Sequence, residues 1–260
     1  MKNGQTLWSR EELILAINLY AKLPFGQMDH RNKEVQHLAG LIGRTPGAIA
    51  RRLANYASLD PVQIARGIKG LPNAGGLAES VWNEFYNNWD DVFEQSEMLL
   101  AKYKKVEVER LYEIDWSDLE KGINKERVIK TRLNQYRFRH LVMTNYNSTC
   151  CITGIKQPEL LIASHITSWS KYENNRLNPA NGLCLNALHD RAFDSGLITV
   201  SAIDYTIQIS NAIKKIESAE VQDYFLKYDG KEIRLPKKFM PNPDFLMVHN
   251  NYFKGKMEAI

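Results

Sequence analysis

No stretch of this 260-residue sequence approaches the ~20 consecutive apolar residues that cross a bilayer. The opening MKNGQTLWSREE also lacks the apolar stretch of a secretory signal, so a cytoplasmic location is expected. Cysteine is scarce: there are three, an odd number, and Cys150 and Cys151 are adjacent. This argues against a secreted scaffold stapled by disulfides, and counting alone excludes a four-cysteine zinc site. Nor does charge of one sign dominate. With 34 Lys and Arg against 30 Asp and Glu, the net charge is only +4. Where the charges sit, rather than their sum, must identify any nucleic-acid partner. Internal repeats and low-complexity tracts are absent as well. What is present is a globular composition, 44% hydrophobic and 25% charged, which excludes wholesale disorder and a fibrous fold. The length suits one large domain or two modest ones.

The N-terminal third reads as helices. Ser9 can cap a first helix, Glu12 closes a capping box, and Leu13, Ile17 and Tyr20 follow at helical spacing until Pro24 and Gly26. A second amphipathic segment carries Val35, Leu38, Ala39 and Ile42 and stops at Gly43. Thr45 and Pro46 then start a third helix, with Ile49, Leu53 and Tyr56 as its buried stripe. Two helices joined by a tight turn, the second bearing Arg44, Arg51, Arg52 and Asn55, suit a helix-turn-helix. The Trp8-Ser9-x-Glu11-Glu12 opening and Gly43-Arg44-Thr45 also resemble the Myb/SANT three-helix unit. A plain helical bundle with solvated arginines is the competing reading. Residues 57–80 form a connection with a short helical piece. One amphipathic helix is then expected to carry Val81, Trp82, Phe85, Tyr86, Trp89 and Phe93 as packing rather than as a base-stacking platform.

The sharpest charge asymmetry lies at 121–140, where Lys121, Lys125, Arg127, Lys130, Arg132, Arg137 and Arg139 face a single acid, Glu126. Ile129, Leu133 and Tyr136 give this segment an apolar line at helical spacing, leaving the basic groups to meet phosphates or water. Downstream, a short strand ends at His165, a polar loop returns to Asn181-Gly182, and Leu183 and Leu185 mark a second strand. Leu188–Asp194 reads as a short helix. The order strand, loop, strand, helix brings His165, Asn181 and His189 into one ββα unit. Leu197–Val200 and Tyr205–Ile209 suggest a later hairpin.

These residues resemble the HNH nucleases, in particular a bacterial group typified by restriction-type endonucleases. The resemblance rests on Cys151-Ile152-Thr153-Gly154, Ser164-His165-Ile166, Asn178-Pro179-x-Asn181-Gly182-Leu183-Cys184-Leu185, Leu188-His189-Asp190-x-x-Phe193-Asp194 and Gly196-Leu197-Ile198. Arg132-x-Asn134-Gln135-x-x-Phe138-Arg139 looks like that group's lead-in helix. The resemblance implies a ββα-metal fold that hydrolyses DNA with a divalent metal, Mg²⁺ or else Mn²⁺. His165 would be the base. Asn181 would either hold the loop that orients His165 or ligate the metal, His189 would be a ligand, and Asp194 a ligand or the partner of one. Many HNH nucleases carry an Asp or a second His just before the catalytic His, and here that position is Ser164. Cys151 and Cys184 are expected to be small buried hydrophobes. Lys171, Arg176 and Arg191 join the basic helix as candidate phosphate contacts.

The expected fold class is α+β. A helical DNA-recognition region over 1–105 leads through a joint at 106–125 to a nuclease domain over 126–260, with its core at 150–200. The expected function is metal-dependent cleavage of double-stranded DNA by a restriction or modification-dependent defence nuclease, with a homodimer cutting both strands. An inactive HNH-fold DNA-binding protein is the alternative, and a protein-interaction module is a third reading.

Overall fold

The computed structural model describes residues 7–112, 125–167 and 175–258, which divide into two compact units between Arg137 and Phe138. The architecture is α+β. The first unit is helical and is built around α1 (Arg10–Lys22). The Ser9–Glu12 capping box forms as its sequence predicts. Every residue from Leu13 to Ala21 is buried, because α2 (Lys33–Leu41), α3 (Pro46–Leu59), α5 (Gly76–Asn87) and α6 (Trp89–Lys104) all pack against this helix, while α4 (Pro61–Ala65) follows α3. A helix enclosed in this way must satisfy its polar groups internally. Asn18 donates to Ser96 Oγ at 2.7 Å and to Glu97 Oε1 at 2.6 Å, and Lys22 Nζ meets the same carboxylate.

The aromatic run forms two helices rather than one. Asn88 leaves the helical region, with φ −140° and ψ 64°, and separates α5 from α6. Trp82, Phe85, Trp89 and Phe93 are core residues in edge, tilted and stacked contacts, while Tyr86 is half exposed.

The division between the units falls inside α7 (Lys125–Asn145). In the second unit, α7 supplies Phe138, Leu141 and Val142 to the core. The expected apolar line is therefore displaced. Leu133 is buried, but Tyr136 is 45% exposed and Phe138 takes the inward place. Strands β1 (Leu161–His165) and β2 (Gly182–Asn186) pair antiparallel, with Leu161 opposite Asn186 and His165 opposite Gly182. A Cβ on Gly182 would lie 2.4 Å from Val142 Cγ2 and 2.9 Å from Phe138 Cζ, so only glycine lets α7 approach this closely. Helix α8 (Ala187–Asp194) follows β2 directly, capped by Asn186, whose Oδ1 accepts from His189 N at 2.9 Å.

A second hairpin joins β3 (Ile198–Val200) to β4 (Ile207–Ile209) and is followed by α9 (Asn211–Lys214), α10 (Ala219–Tyr224) and α11 (Pro243–Glu258). Helix α11 packs on β3, so His249 gains partners that the sequence did not reveal: Thr199 Oγ1 at 2.7 Å and Phe193 O at 3.0 Å. The three cysteines are reduced and buried, and Cys151 N bonds to Cys184 O at 2.7 Å, fixing the turn at 150–154 to β2. Among the described residues, no helix is long and apolar enough to cross a membrane.

Candidate active site

His165 is the last residue of β1, and its ring lies parallel to Phe138 with the centroids 3.5 Å apart. Its Nε2 is 3.1 Å from the carbonyl oxygen of Arg176. A carbonyl can only accept, so Nε2 carries the proton and Nδ1 the lone pair. Burial lowers the imidazole pKa to about 4, against a smaller raising effect of the Arg176 carbonyl. The ring is therefore neutral at pH 7, the form able to accept a proton.

The loop that supplies the Arg176 carbonyl is held by Asn181. Asn181 Oδ1 accepts from Thr167 N and from Thr167 Oγ1, both at 2.9 Å, and Nδ2 reaches Asn175 O at 3.3 Å. A backbone N–H can only donate, so the atom facing Thr167 N must be the amide oxygen. Ile166 N also bonds to Asn181 O at 2.9 Å, locking the segment after His165 onto the residue before β2. Of the two roles open to Asn181, this geometry matches loop-holding. Its amide oxygen already receives two donors.

His189 has partners other than those expected of a metal ligand. It is 1% exposed, its Nε2 lies 2.8 Å from Tyr224 O, and its Nδ1 lies 2.9 Å from Asn186 Oδ1. Phe225 and Tyr228 flank the ring at 5.3 and 5.8 Å. Both nitrogens abut oxygens of the fold, so a metal would have to displace one of them. Burial lowers the His189 pKa as well.

The acids of α8 are placed differently. Asp190 and Asp194 stand one turn apart, and burial raises the pKa of both, with the Asp190 charge raising Asp194 further. Asp190 was not singled out from the sequence, although its i, i+4 spacing from Asp194 was a legible sign. Ser164 precedes the candidate base and is 3% exposed, and its hydroxyl has no hydrogen-bond partner of normal geometry. It lies close enough to Asp190 to hold that carboxyl's pKa down against burial. Among the described residues, no three His, Cys, Asp or Glu side chains converge as a metal-binding group.

The basic residues fall into two sets. Arg44 is bound to Glu12 at 2.8 Å and stacks on Trp8. Arg52 stacks on the same ring and donates to Ala74 O at 2.6 Å. Arg137 is buried beside the Tyr112 ring, and Arg139 donates to Leu161 O and Pro158 O. These four guanidinium groups hold the fold. Arg51 and Arg191 are exposed, Arg132 and Arg176 are partly so, and Lys130 makes only a loose 3.7 Å pair with Glu94. Lys171 lies outside the described residues.

Comparison with curated proteins gives no match. Comparison with family models does: residues 150–201 of the C-terminal unit, which contain β1, β2 and α8 with His165, Asn181 and His189, match the HNH endonuclease family.

Proposed function

We propose that this protein is a metal-dependent endonuclease that hydrolyses phosphodiester bonds of double-stranded DNA, as a restriction or modification-dependent defence nuclease. The observation that carries the reading is the orientation of His165 within the HNH segment. Arg176 O holds the proton on Nε2, Phe138 fixes the ring plane, and Asn181 anchors the loop that supplies the carbonyl.

In this reaction His165 Nδ1 takes a proton from the attacking water, which displaces the leaving oxygen in line. Such a positioned base contributes about 10²- to 10⁴-fold in rate. A pKa of about 4 makes a weak base, and the negative charge of bound DNA raises it toward the working range. A divalent cation, when bound, supplies positive charge to the phosphorus centre and leaving oxygen. Of the expected ligands, His189 and Asn181 are engaged within the fold, and Asp194 is the one whose oxygens remain available among the described residues. Arg51, Lys130, Arg132, Arg176 and Arg191 are the candidates to position phosphates, and a two-fold homodimer would set one centre on each strand.

The test is cleavage of plasmid and phage DNA, modified and unmodified, in Mg²⁺, Mn²⁺ or EDTA, comparing wild type with His165→Ala. The expected result is metal-dependent discrete fragments that the variant does not produce while it still binds DNA. A variant that cuts like wild type would remove His165 from the role of base. The presence of Ser164 where many HNH nucleases carry a ligand favours a second reading, an inactive DNA-binding protein. Retained DNA binding with no cutting in any metal would select it.

A further inference from the structure

Among the described residues, Ser164 Oγ is one of four buried side-chain polar atoms without a hydrogen-bond partner, beside Arg52 Nε, Arg137 Nε and Asn145 Oδ1, and the one that is a hydroxyl. An unpaired buried hydroxyl costs on the order of 1–3 kcal/mol, so it needs an explanation. Consecutive strand residues point to opposite faces. His165 lies against Phe138 of α7, and Ser164 faces α8, which packs on β1 and carries Asp190 within reach of the hydroxyl. Asp194 follows one turn along the same helix face. Two neighbouring carboxylates repel each other and would not alone define a site. The buried oxygen beside Asp190, which makes no hydrogen bond of normal geometry, supplies the missing element, a third hard donor.

We propose that Asp190, with Ser164 Oγ and Asp194, forms the divalent-cation site of this nuclease, and that His189 is not a ligand. Mg²⁺ binds through one or two carboxylates, keeps several waters, and prefers oxygen to imidazole. That description matches the donors on this side of β1. His189, by contrast, has each ring nitrogen against an oxygen of Asn186 or Tyr224, and its ring anchors α8 between Phe225 and Tyr228. The family's strand-borne ligand is thus replaced in this chain by a helix-borne one: Ser164 stands in the strand position, and the carboxylate comes from α8. Placing the ion beside Ser164 sets it next in sequence to the base, at the end of β1. The use of the ion rests on the nuclease reading, but its binding does not.

The test measures Mn²⁺ binding directly, by loss of the free-ion electron paramagnetic resonance signal on titration of the full chain without DNA. Asp190→Asn keeps the shape and removes the charge, and is expected to weaken Mn²⁺ binding by about tenfold or more. Ser164→Ala removes an oxygen that makes no hydrogen bond of normal geometry. It should leave thermal stability unchanged or higher, yet weaken Mn²⁺ binding several-fold. Ser164→Asp should tighten it. Asp204→Asn, at an exposed turn outside the site, is the control and should change nothing.

Unchanged Mn²⁺ affinity in Asp190→Asn overturns the site, as does a wild type that binds no Mn²⁺ at millimolar concentration. If Asp190→Asn fails to fold, Ser164→Ala decides. Altered stability with unaltered affinity makes Ser164 a structural orphan and the proposal wrong. Because binding is read without DNA, a protein that binds Mn²⁺ at this site but cuts nothing would defeat the nuclease reading and leave the site standing.

Discussion

Both ring nitrogens of His249 are engaged inside the fold. Nε2 faces Phe193 O and must donate, so Nδ1 accepts from the Thr199 hydroxyl, whose own oxygen takes a proton from Asn250 Nδ2 at 2.9 Å. Phe193 stacks on the ring at 3.6 Å, and the one titratable side chain among its ring neighbours is Tyr252. Burial lowers this imidazole from 6.5 to about 4, opposed by the Phe193 carbonyl. Above pH ~6.5 neither the folded nor the unfolded ring is protonated, and the contribution to stability is fully present. As pH falls below that value the unfolded chain takes up a proton that the folded ring refuses, so stability is lost down to about pH 4. The loss from this one ring is of the order of 3 kcal/mol. Urea unfolding of wild type and His249→Gln between pH 7 and 4.5 should show a shallower decline in the variant. His165 and His189, also lowered by burial, contribute to the slope that remains. Equal slopes would mean that His249 is not held neutral.

At the level of elements, α3 separates two arginines that the sequence placed together. Arg51 is exposed, while Arg52 stacks on Trp8 and donates to Ala74 O. Arg52→Ala should therefore cost the N-terminal unit about 1–2 kcal/mol, and Arg51→Ala should leave its melting unchanged while weakening DNA binding. A melting curve altered by Arg51→Ala and not by Arg52→Ala would reverse the assignment. Gly182→Ala tests the approach of α7 to β2. Its Cβ must push Val142 and Phe138 away, costing about 1–3 kcal/mol and tilting the ring on which His165 rests. Cleavage should fall further than the stability loss explains; full activity would make the Phe138 stack dispensable. The caps of α1 and α3 and the strand–loop–strand–helix order were readable because they depend on residues within a few positions of each other. The break at Asn88, the place of Phe138 and the partners of His249 were not, since each is decided by an element distant in the chain. Within the site, His165 and Asn181 could be read from local order. The proximity of Ser164 to Asp190 needed the fold, because it joins a strand to a helix 26 positions later.

For the molecule as a whole, a net charge of +4 is too small for unspecific attraction to dominate, so the DNA binding proposed for it requires particular groups. Arg44, Arg52, Arg137 and Arg139 are committed to Glu12, Trp8, Tyr112 and backbone carbonyls, which removes them from the count although the sequence includes them in its basic clusters. Arg51, Lys130, Arg132, Arg176 and Arg191 are left as candidates, the first three in the N-terminal unit and Arg191 on α8. If each neutralises one phosphate, log K should fall against log salt with a slope of about −4 to −5. Arg191→Ala should make that slope shallower by about one unit without altering stability. Arg139→Ala should do the opposite, lowering stability through the freed carbonyls of Leu161 and Pro158 and leaving the slope in place. Fluorescence anisotropy across a salt series, with a cation present that does not support cleavage, separates the two. A slope near zero would mean that the protein meets DNA through other groups, and a slope well beyond −5 would return the fold-holding arginines, or the basic residues outside the described segments, to the binding surface.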